Sequence, residues 1–331
     1  WHTNGLLSGY RSKEYGGRGF NQLVMDDSTG QNRVHLYSTS ADSHLHLGYL
    51  VDHTGNTRGG YLGSGFDLKS NAYGAIRAEQ GLYVSSHPTS VKQPMDVRQA
   101  SSQLVNAESV IEALSDASAT HQAESLKDGY DSLKAFTDAT QKSVAGDASG
   151  AGRTAGGGTG SANGFAEPIM LMASPSGIAL STQQSTQIAA DKHVNIVSGA
   201  STHIASGKSL IASIGEKLSL FVQNAGMKLF AAKGKVEVQA HSDGIELTAH
   251  KGVKVISITE AVEMAAKKEI LLTSGGAYVR IKDGNIEIHA PGTIDVKGAK
   301  RMFAGPTSGS YPLPLLPNGN LTSPGKFIFS Q

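Results

Sequence analysis

The chain has 331 residues, with 40 glycines, no cysteine and 6% aromatic residues. This composition is poor for an ordinary globular core and favours an elongated or repetitive architecture. The 29 basic and 28 acidic residues leave a net charge of +1, which argues against nucleic acid as a partner, since such proteins depend on a strongly basic surface. Without cysteine, disulfides and thiolate chemistry are excluded as well.

The N-terminus shows neither a start methionine nor a signal-peptide pattern. We therefore expect the chain to be a fragment of a longer protein. No apolar run approaches the roughly eighteen residues that are needed to span a bilayer.

Residues 1–90 are predicted to be all β, as a first β-helical or needle segment. Residues 22–26 and 33–37 flank a turn at residues 27–30, which is a hairpin pattern. Short alternating strands separated by glycines then continue to the end of this segment.

Twelve histidines invite a search for a metal site, and His44 and His46 are the only close pair. Leu45 and Leu47 alternate with them, so we expect the leucines to face inward and the histidines to point to solvent. Convergent ligands with supporting partners are not apparent, so no metal and no cofactor is expected. The carboxylates at residues 26–27 are expected to shape the hairpin turn and not to catalyse.

Residues 91–144 change to a helical period and are predicted to form an inserted α-helical hairpin. Val97, Leu104 and Ile111 recur at seven, as in the seam of a coiled coil. A second helix is predicted from about Glu124 to Val144. The hairpin either packs against a neighbouring part of the protein or self-associates as a collar, and both remain open. Residues 145–167, rich in glycine, are predicted to be a flexible linker.

Residues 168–300 repeat with a period of eight. Glycines stand eight residues apart in four groups: Gly199, Gly207 and Gly215, then Gly226 and Gly234, Gly244 and Gly252, and Gly276, Gly284 and Gly292. Each octad is predicted to be a strand of about five residues with one buried face, followed by a corner. Val236 and Val238 exemplify the inner face, and Lys235 and Glu237 the outer one.

A single strand of this kind cannot bury its inner face, so many equivalent strands must stack into a solenoid. One chain could wind a β-helix of about 24 residues per turn, or three chains could wind together. The likeness of successive octads favours the trimer. The predicted fold is therefore mostly β, an intertwined triple-stranded β-helix that closes as a homotrimeric prism and carries the helical hairpin. A closed prism exposes no lateral sheet edge, which suits a mechanical part.

Several segments resemble the valine-glycine repeat protein G (VgrG) family, the trimeric spikes of the bacterial type VI secretion system, which are similar to contractile-phage tail spikes. They are GGRGFNQL at residues 16–23, the aspartates at 26–27, LSTQ at 180–183 and EKLSLF at 216–221, together with the octads. The resemblance extends over essentially the whole chain, with residues 16–23 like the entry into the family's needle and residues 168–300 like its needle extension.

The resemblance implies a structural spike that punctures target membranes and carries a tip protein or a toxic effector. Such a spike is assembled in the bacterial cytoplasm on an inner tube and is driven out by sheath contraction, without a signal peptide. Its implied partners are two further copies, an effector and a proline-alanine-alanine-arginine repeat tip protein. The family's N-terminal domains that attach to the tube are missing here, which puts tube attachment by this fragment in doubt.

Residues 301–331 depart from the octads and form an apolar, proline-rich tail. Such a segment suits an extended stretch that binds a partner, although packing on its own trimer is an equal alternative. The hypothetical docking residues for the tip protein or cargo are the large apolar side chains of the tail: Tyr311, Leu313, Leu315, Leu316, Phe327 and Phe329.

Two other functions fit parts of the same sequence. A carbohydrate-active single-chain β-helix enzyme would need a localised carboxylate cluster and a cleft, which the uniform octads do not suggest. A trimeric surface adhesin would share the solenoid but would carry a signal peptide and a membrane anchor. We therefore expect a protein that is not an enzyme.

Overall fold

The computed structural model describes residues 6–54, 57–146 and 160–317. The chain divides into two compact units, Trp1–Ile204 and Ala205–Gln331. The described residues are mostly β with two α-helices, which confirms the fold class predicted from the sequence at this coarse level.

The first unit begins with a five-stranded antiparallel sheet. Its strands lie in chain order: β1 (Leu7–Arg11), β2 (Asn21–Asp26), β3 (Arg33–Ser38), β4 (Ser43–Thr54) and β5 (Thr57–Lys69). The predicted hairpin is present, with Asp26 opposite Arg33 beside its turn. Consecutive strands lie side by side in this sheet, because short turns reverse the chain. A β-helical segment was predicted here instead.

The two faces of this sheet have different chemistry. One face carries His35 opposite His46 and buries Val24, Arg33 and His46 to 2%, 3% and 6% exposure. The other face carries two apolar rows that are largely exposed in the single chain: Leu23, Leu36, Leu45 and Leu68, and Met25, Val34, Leu47 and Phe66. The prediction that the histidines of β4 point to solvent is therefore wrong for His46, whereas Leu47, predicted to face inward, is 40% exposed in the single chain. Alternation shows only that the two sets lie on opposite faces, and packing decides which face is buried.

In sequence, the helical hairpin is flanked by the strands of two small sheets. After β6 (Leu82–Ser85) come α1 (Arg98–Thr120), α2 (Lys127–Ala139) and β7 (Lys142–Ala145). Strand β8 (Ser161–Gly164) pairs antiparallel with β7, and β9 (Met170–Ala173) pairs parallel with β6. The second helix ends at residue 139 and not near residue 144, because the chain enters β7 there.

The apolar seam of α1 packs within its own chain. Val97 and Ala100 are buried together with Phe165 and Leu171, and Leu104 packs against this cluster. The hairpin thus packs against a neighbouring part of the protein, which is the first of the two alternatives left open by the sequence.

Both ends of the predicted linker at residues 145–167 are ordered. Ala145 pairs with Ser161, and Phe165 is 5% exposed in the core beneath α1. The prediction of a flexible linker is wrong for these ends, because backbone pairing and the aromatic anchor at Phe165 fix them. Residues 147–159 lie outside the described residues.

Residues 174–268, all of which the structure describes, contain no strand that is paired within the chain. The backbone bends at regular intervals instead. Bends begin at residues 175, 183, 191, 199, 207, 215 and 223, and then at 232, 241, 250, 258 and 267. The period of eight is confirmed as far as residue 223.

Beyond residue 223, four of the next five intervals are nine residues. The corners at residues 223–225, 232–234, 241–243 and 258–260 each hold three bend residues, where the earlier corners hold two. The prediction of a strict eight-residue repeat is therefore wrong in this part. Most corners here are one residue longer, while the straight segments between them keep the same length.

A second departure from the octads is a three-stranded antiparallel sheet of β10 (Glu269–Ser274), β11 (Ala277–Lys282) and β12 (Asn285–His289), here called the meander. The sequence predicted continuous octads over this range. Gly276 and Gly284, which looked like octad corners, lie in two-residue hairpin turns. Octad-like chain without paired strands resumes at residues 291–298.

Candidate functional site

The alternating apolar side chains of the octads are exposed in the single chain. The large apolar residues of residues 174–268 that stand exposed range from 46% for Val222 to 94% for Ile258. Val236 and Val238, predicted to face a core, are 61% and 71% exposed. Single soluble chains rarely leave so much apolar surface open unless it binds something. The arrangement can therefore bind an apolar partner along its length.

The polar side of the octads is organised as the sequence predicts. Lys235 and Glu237, two residues apart, form an ion pair with Nζ and Oε1 at 2.5 Å, and Lys297 Nζ lies 2.8 Å from Asp295 Oδ2. Residues two apart in an extended chain share a face. These pairs place the charged side chains together, opposite the apolar side chains that alternate with them.

The predicted tail residues lie on an extended segment of the second unit. Tyr311 donates its hydroxyl to Glu263 Oε2 at 2.6 Å, which connects the tail to the octad chain. Leu313 and Leu316 are 43% and 46% exposed, whereas Leu315 is 99% exposed. Leu315 is thus the most available of the described tail residues. Phe327 and Phe329 lie outside the described residues.

A buried polar cluster on the N-terminal sheet was missed by the sequence reasoning. Asp26 Oδ2 accepts from Arg33 Nε at 3.0 Å and lies 3.2 Å from Arg58 Nε, and Oδ1 accepts from the Ser28 hydroxyl at 2.5 Å. The Asp26 and Arg33 side chains have no exposed surface. Burial alone would raise the pKa of Asp26, but the hydrogen bonds from Ser28 and Arg33 outweigh it and lower that pKa.

Three histidines line the same face of the sheet. The His35 ring lies 4.5 Å from His46 and 5.4 Å from His44, centroid to centroid, and His44 Nε2 lies 2.9 Å from Asp67 Oδ2. Burial, followed by the neighbouring positive charges, lowers the pKa of His35 to about 4 and also lowers that of His46. Neutral rings can pack closely, so these contacts support the sheet. Histidines placed opposite each other on adjacent strands were the available sequence signal.

Within the part of the chain that the structure describes, no group of three or more histidine, cysteine, aspartate or glutamate side chains is arranged to hold a metal ion. Neither of the two α-helices has the length and apolar character of a membrane span.

Two family models match separate parts of the chain. Residues 13–118 match the family described as the type VI secretion system Rhs element Vgr. Residues 157–307 match a family described as an uncharacterized protein conserved in bacteria, DUF2345. The first match covers strands β2–β5 of the N-terminal sheet and most of α1, and the second covers the octads and the meander.

Two spike proteins of Pseudomonas aeruginosa are similar over nearly the whole chain. The type VI secretion system spike protein VgrG2b is 31% identical over 328 residues, which are 98% of this chain and 31% of the relative. The spike protein VgrG2a is 32% identical over 307 residues, 92% of this chain and 35% of the relative. The chain thus spans about a third of the length of these curated relatives.

Two solved structures share the fold. A VgrG spike from the type 6 secretion system aligns with a TM-score of 0.75 and 26% identity, covering 88% of this chain and all of that one. The structure of the Tle1 effector bound to the VgrG spike aligns with a TM-score of 0.73 and 26% identity, covering 89% of this chain and 82% of that one. Family models, relatives and solved structures agree: the chain is similar over nearly its whole length to VgrG spike proteins of the type VI secretion system, and residues 13–118 match the Vgr family model itself.

Proposed function

We propose that three copies of this chain wind together through their octads into a closed prism, the shaft of a type VI secretion spike. The single observation that carries the proposal is the exposure of the inner octad side chains, such as Val236 at 61%. Three chains that each contribute one octad per level would bury these side chains on a common axis. They would also pair the strand backbones that have no partner strand within the chain.

A single-chain β-helix accounts less well for the same residues. Its successive turns would stack on each other, so the chain itself would pair its strands and bury its inner face. Residues 174–268, described throughout, have neither feature. Their strands are unpaired, and their large apolar side chains are at least 46% exposed apart from the half-buried Val197 and Phe221. The carbohydrate-active enzyme weighed above requires this single-chain form, so we propose a mechanical role and not an enzymatic one.

The prism would act by its stiffness. Every strand in a closed three-chain prism is hydrogen-bonded on both sides and no edge is exposed, so bending would break many bonds at once. Ion pairs such as Lys235–Glu237 would lie on the outside. We propose that this shaft is assembled in the cytoplasm on an inner tube, through domains outside this fragment, and is then driven across a target membrane.

The shaft would carry cargo. The similar spike that was solved with the Tle1 effector bound supports an effector as a partner of this chain. We propose that the tail contributes to docking of an effector or a tip protein, with Leu315 as its most accessible apolar contact. Phe327 and Phe329 remain part of this proposal on the basis of the sequence alone.

Native mass spectrometry of the purified chain tests the assembly. The proposal predicts a complex of three times the 34.5 kDa chain mass, and a monomer would overturn it and favour the enzyme. A trimer alone would also fit an adhesin, so the second measurement is capture of effectors from a secreting bacterium by the full chain. Capture that is lost on deletion of residues 301–331 supports docking at the tail. Undiminished capture by that deletion variant would remove the tail from the proposal.

A further inference from the structure

The meander is the one place between residues 174 and 298, all of them described, where the chain pairs its own strands. Gly275 and Gly276 have φ of +55° and +85°, and Asp283 and Gly284 have φ of +49° and +77°. Positive φ at both central residues is the requirement of a two-residue type I′ hairpin turn. Each chain can therefore form this sheet before it meets another copy.

The two faces of the meander differ sharply. On one face, Arg280 Nη2 lies 2.7 Å from Glu287 Oε2, and the rings of Tyr278 and His289 stack with centroids 5.0 Å apart. These side chains pair with each other at the surface, and Leu271, opposite Arg280 and 52% exposed, is the one large aliphatic side chain of this face. This face is therefore mostly polar.

The opposite face is apolar. It carries two rows of side chains that lie directly opposite each other across the three strands: Ile270, Ile281 and Ile286, and Leu272, Val279 and Ile288. In the single chain Leu272 is 54% exposed, Ile286 69% and Ile288 57%. A three-stranded sheet with one apolar face needs that face covered to be stable in water.

Position in the sequence indicates what covers it. Unpaired octads run up to residue 268 on one side, and Ile294 and Val296, 52% and 61% exposed, follow on the other. If three chains wind together before and after the meander, three copies of its apolar face are held close at high effective concentration. The face carries no charge that would select a different partner, so further copies of the same chain are its natural occupants.

The repetition of the octads leaves the register of the three chains weakly defined, and a contact between meanders could define it. Octads are so alike that sliding one chain by a single repeat would still place apolar side chains on apolar side chains, and register is weakly specified in such strands. The meander cannot slide in this way, because its strands pair within their own chain through turns at fixed positions. A contact between three meanders is possible in one register only.

We infer that the apolar face of the meander packs against the same face of two further copies and fixes the register of the three chains. The inference rests on the proposed homotrimer. It assigns to residues 269–289 a role that the octads cannot fill. That role is to define which octad of one chain lies beside which octad of the other two.

Disulfide cross-linking tests the contact, because the chain has no cysteine of its own. Ile286→Cys places a thiol on the apolar face, and the control Glu287→Cys places one on the opposite face, one residue away. A disulfide requires Cβ atoms within about 4.5 Å, so we expect at least about tenfold more linked dimer from Ile286→Cys after oxidation of the purified full chain. Equal yields, or more from Glu287→Cys, would overturn the inference.

A slip assay tests the register. Chains carrying Val236→Cys are co-expressed with chains carrying Ile245→Cys, which lies at the equivalent place one repeat later. We expect mixed disulfides only at background in the unaltered meander and a severalfold rise when Ile286→Ser and Ile288→Ser are added, with Arg280→Ala as the control on the polar face. No rise in a variant that remains trimeric would overturn the register role.

The two proposals fail in different ways. A monomeric mass for the unaltered chain would remove the homotrimer and the inference together. A trimeric mass combined with no preference for Ile286→Cys over Glu287→Cys would remove the inference alone. Because each cysteine variant carries a single substitution, the comparison of Ile286→Cys with Glu287→Cys decides the matter even if the double serine variant fails to fold.

Discussion

The N-terminal sheet and the octads are built from the same alternation of apolar and polar residues, yet only the sheet pairs its strands within the chain. In the sheet, short turns reverse the chain and bring β2 against β3 and β3 against β4. In the octads, corners of two or three residues bend the chain without bringing a neighbouring strand alongside. Alternation thus specifies a strand with two faces, whereas the connection decides whether the same chain supplies its partner strand.

The N-terminal sheet inverts the usual relation between face and burial, whereas the octads of the single chain bury neither face. The sheet buries Asp26, Arg33 and His46 and leaves Leu36 and Leu47 54% and 40% exposed. The octads expose both their valines and their charged residues. Apolar surface left open in both regions fits the proposed assembly of three copies.

The largest expected effect comes from a charge on the inner octad face. Val238→Asp would place three carboxylates on one axis of the assembly, where each uncompensated buried charge costs about 3–5 kcal/mol. We expect the trimer to be lost, as measured by analytical ultracentrifugation. The same residue introduced next door, Gln239→Asp, lies on the outer face and should leave the trimer intact. Equal behaviour of the two variants would contradict the assignment of faces.

The next largest effect concerns the sheet alone. Asp26→Ala would leave the buried Arg33 guanidinium without its carboxylate, at a cost of about 3–5 kcal/mol. We expect the amides of β2 and β3 to exchange faster and the urea midpoint of this unit to fall, while the assembly stays trimeric. The control is Asp27→Ala, at the neighbouring carboxylate, which is exposed. Dissociation of the trimer by Asp26→Ala would show that the two regions are not independent.

A smaller effect is expected from pH. The unfolded chain binds protons at the ordinary histidine pKa of 6.5, whereas His35 in the sheet has a pKa of about 4. The unfolded state therefore gains protons first, and the stability of the sheet should fall as the pH drops from about 6.5 to about 4. The lowered pKa of Asp26 adds a further loss at still lower pH, because its folded-state advantage disappears only when that carboxylate is protonated.

His35→Gln should flatten this part of the pH profile, as followed by urea denaturation of the full chain. The exposed residue His193 offers the matched control His193→Gln, which should leave the profile unchanged. A profile that is equally steep in both variants would show that the histidine face does not contribute.

The smallest effect is expected at the tail. Tyr311→Phe removes the hydroxyl that donates to Glu263 Oε2 at 2.6 Å, and both side chains are at the surface. We expect slightly faster amide exchange in residues 308–316 and no change in the assembly or in the sheet. Glu263→Gln should behave in the same way, since it weakens the same bond from the other side. A large change in exchange beyond the tail in either variant would contradict this local role.

Much of this fold could be predicted from the sequence because its signals are local. The turn at residues 27–30 places β2 and β3, the seven-residue spacing of Val97, Leu104 and Ile111 gives α1 and its buried face, and the spaced glycines give the corners as far as residue 223. Each of these depends on residues close together in the chain.

What could not be predicted depends on partners distant in the sequence. His46 is buried because His35 and Arg33 of another strand lie against it, and Phe165 orders the end of a glycine-rich stretch because it reaches the core under α1. Gly276 and Gly284 fit the octad spacing but form hairpin turns, since a glycine permits both. The tail residues Tyr311 and Leu315 could be chosen by their apolar character, but the contact with Glu263 could not.

The most direct test of the account is amide hydrogen exchange across residues 174–268 in the purified full chain, measured above and below the concentration at which it assembles. We predict protection of this stretch comparable to that of β2–β4 in the assembly, lost on dissociation while the sheet stays protected. Two results would contradict the claim that these strands pair with strands of other copies. One is octad amides that exchange as fast in an intact trimer as in an unstructured chain, and the other is octad amides that remain protected in the monomer.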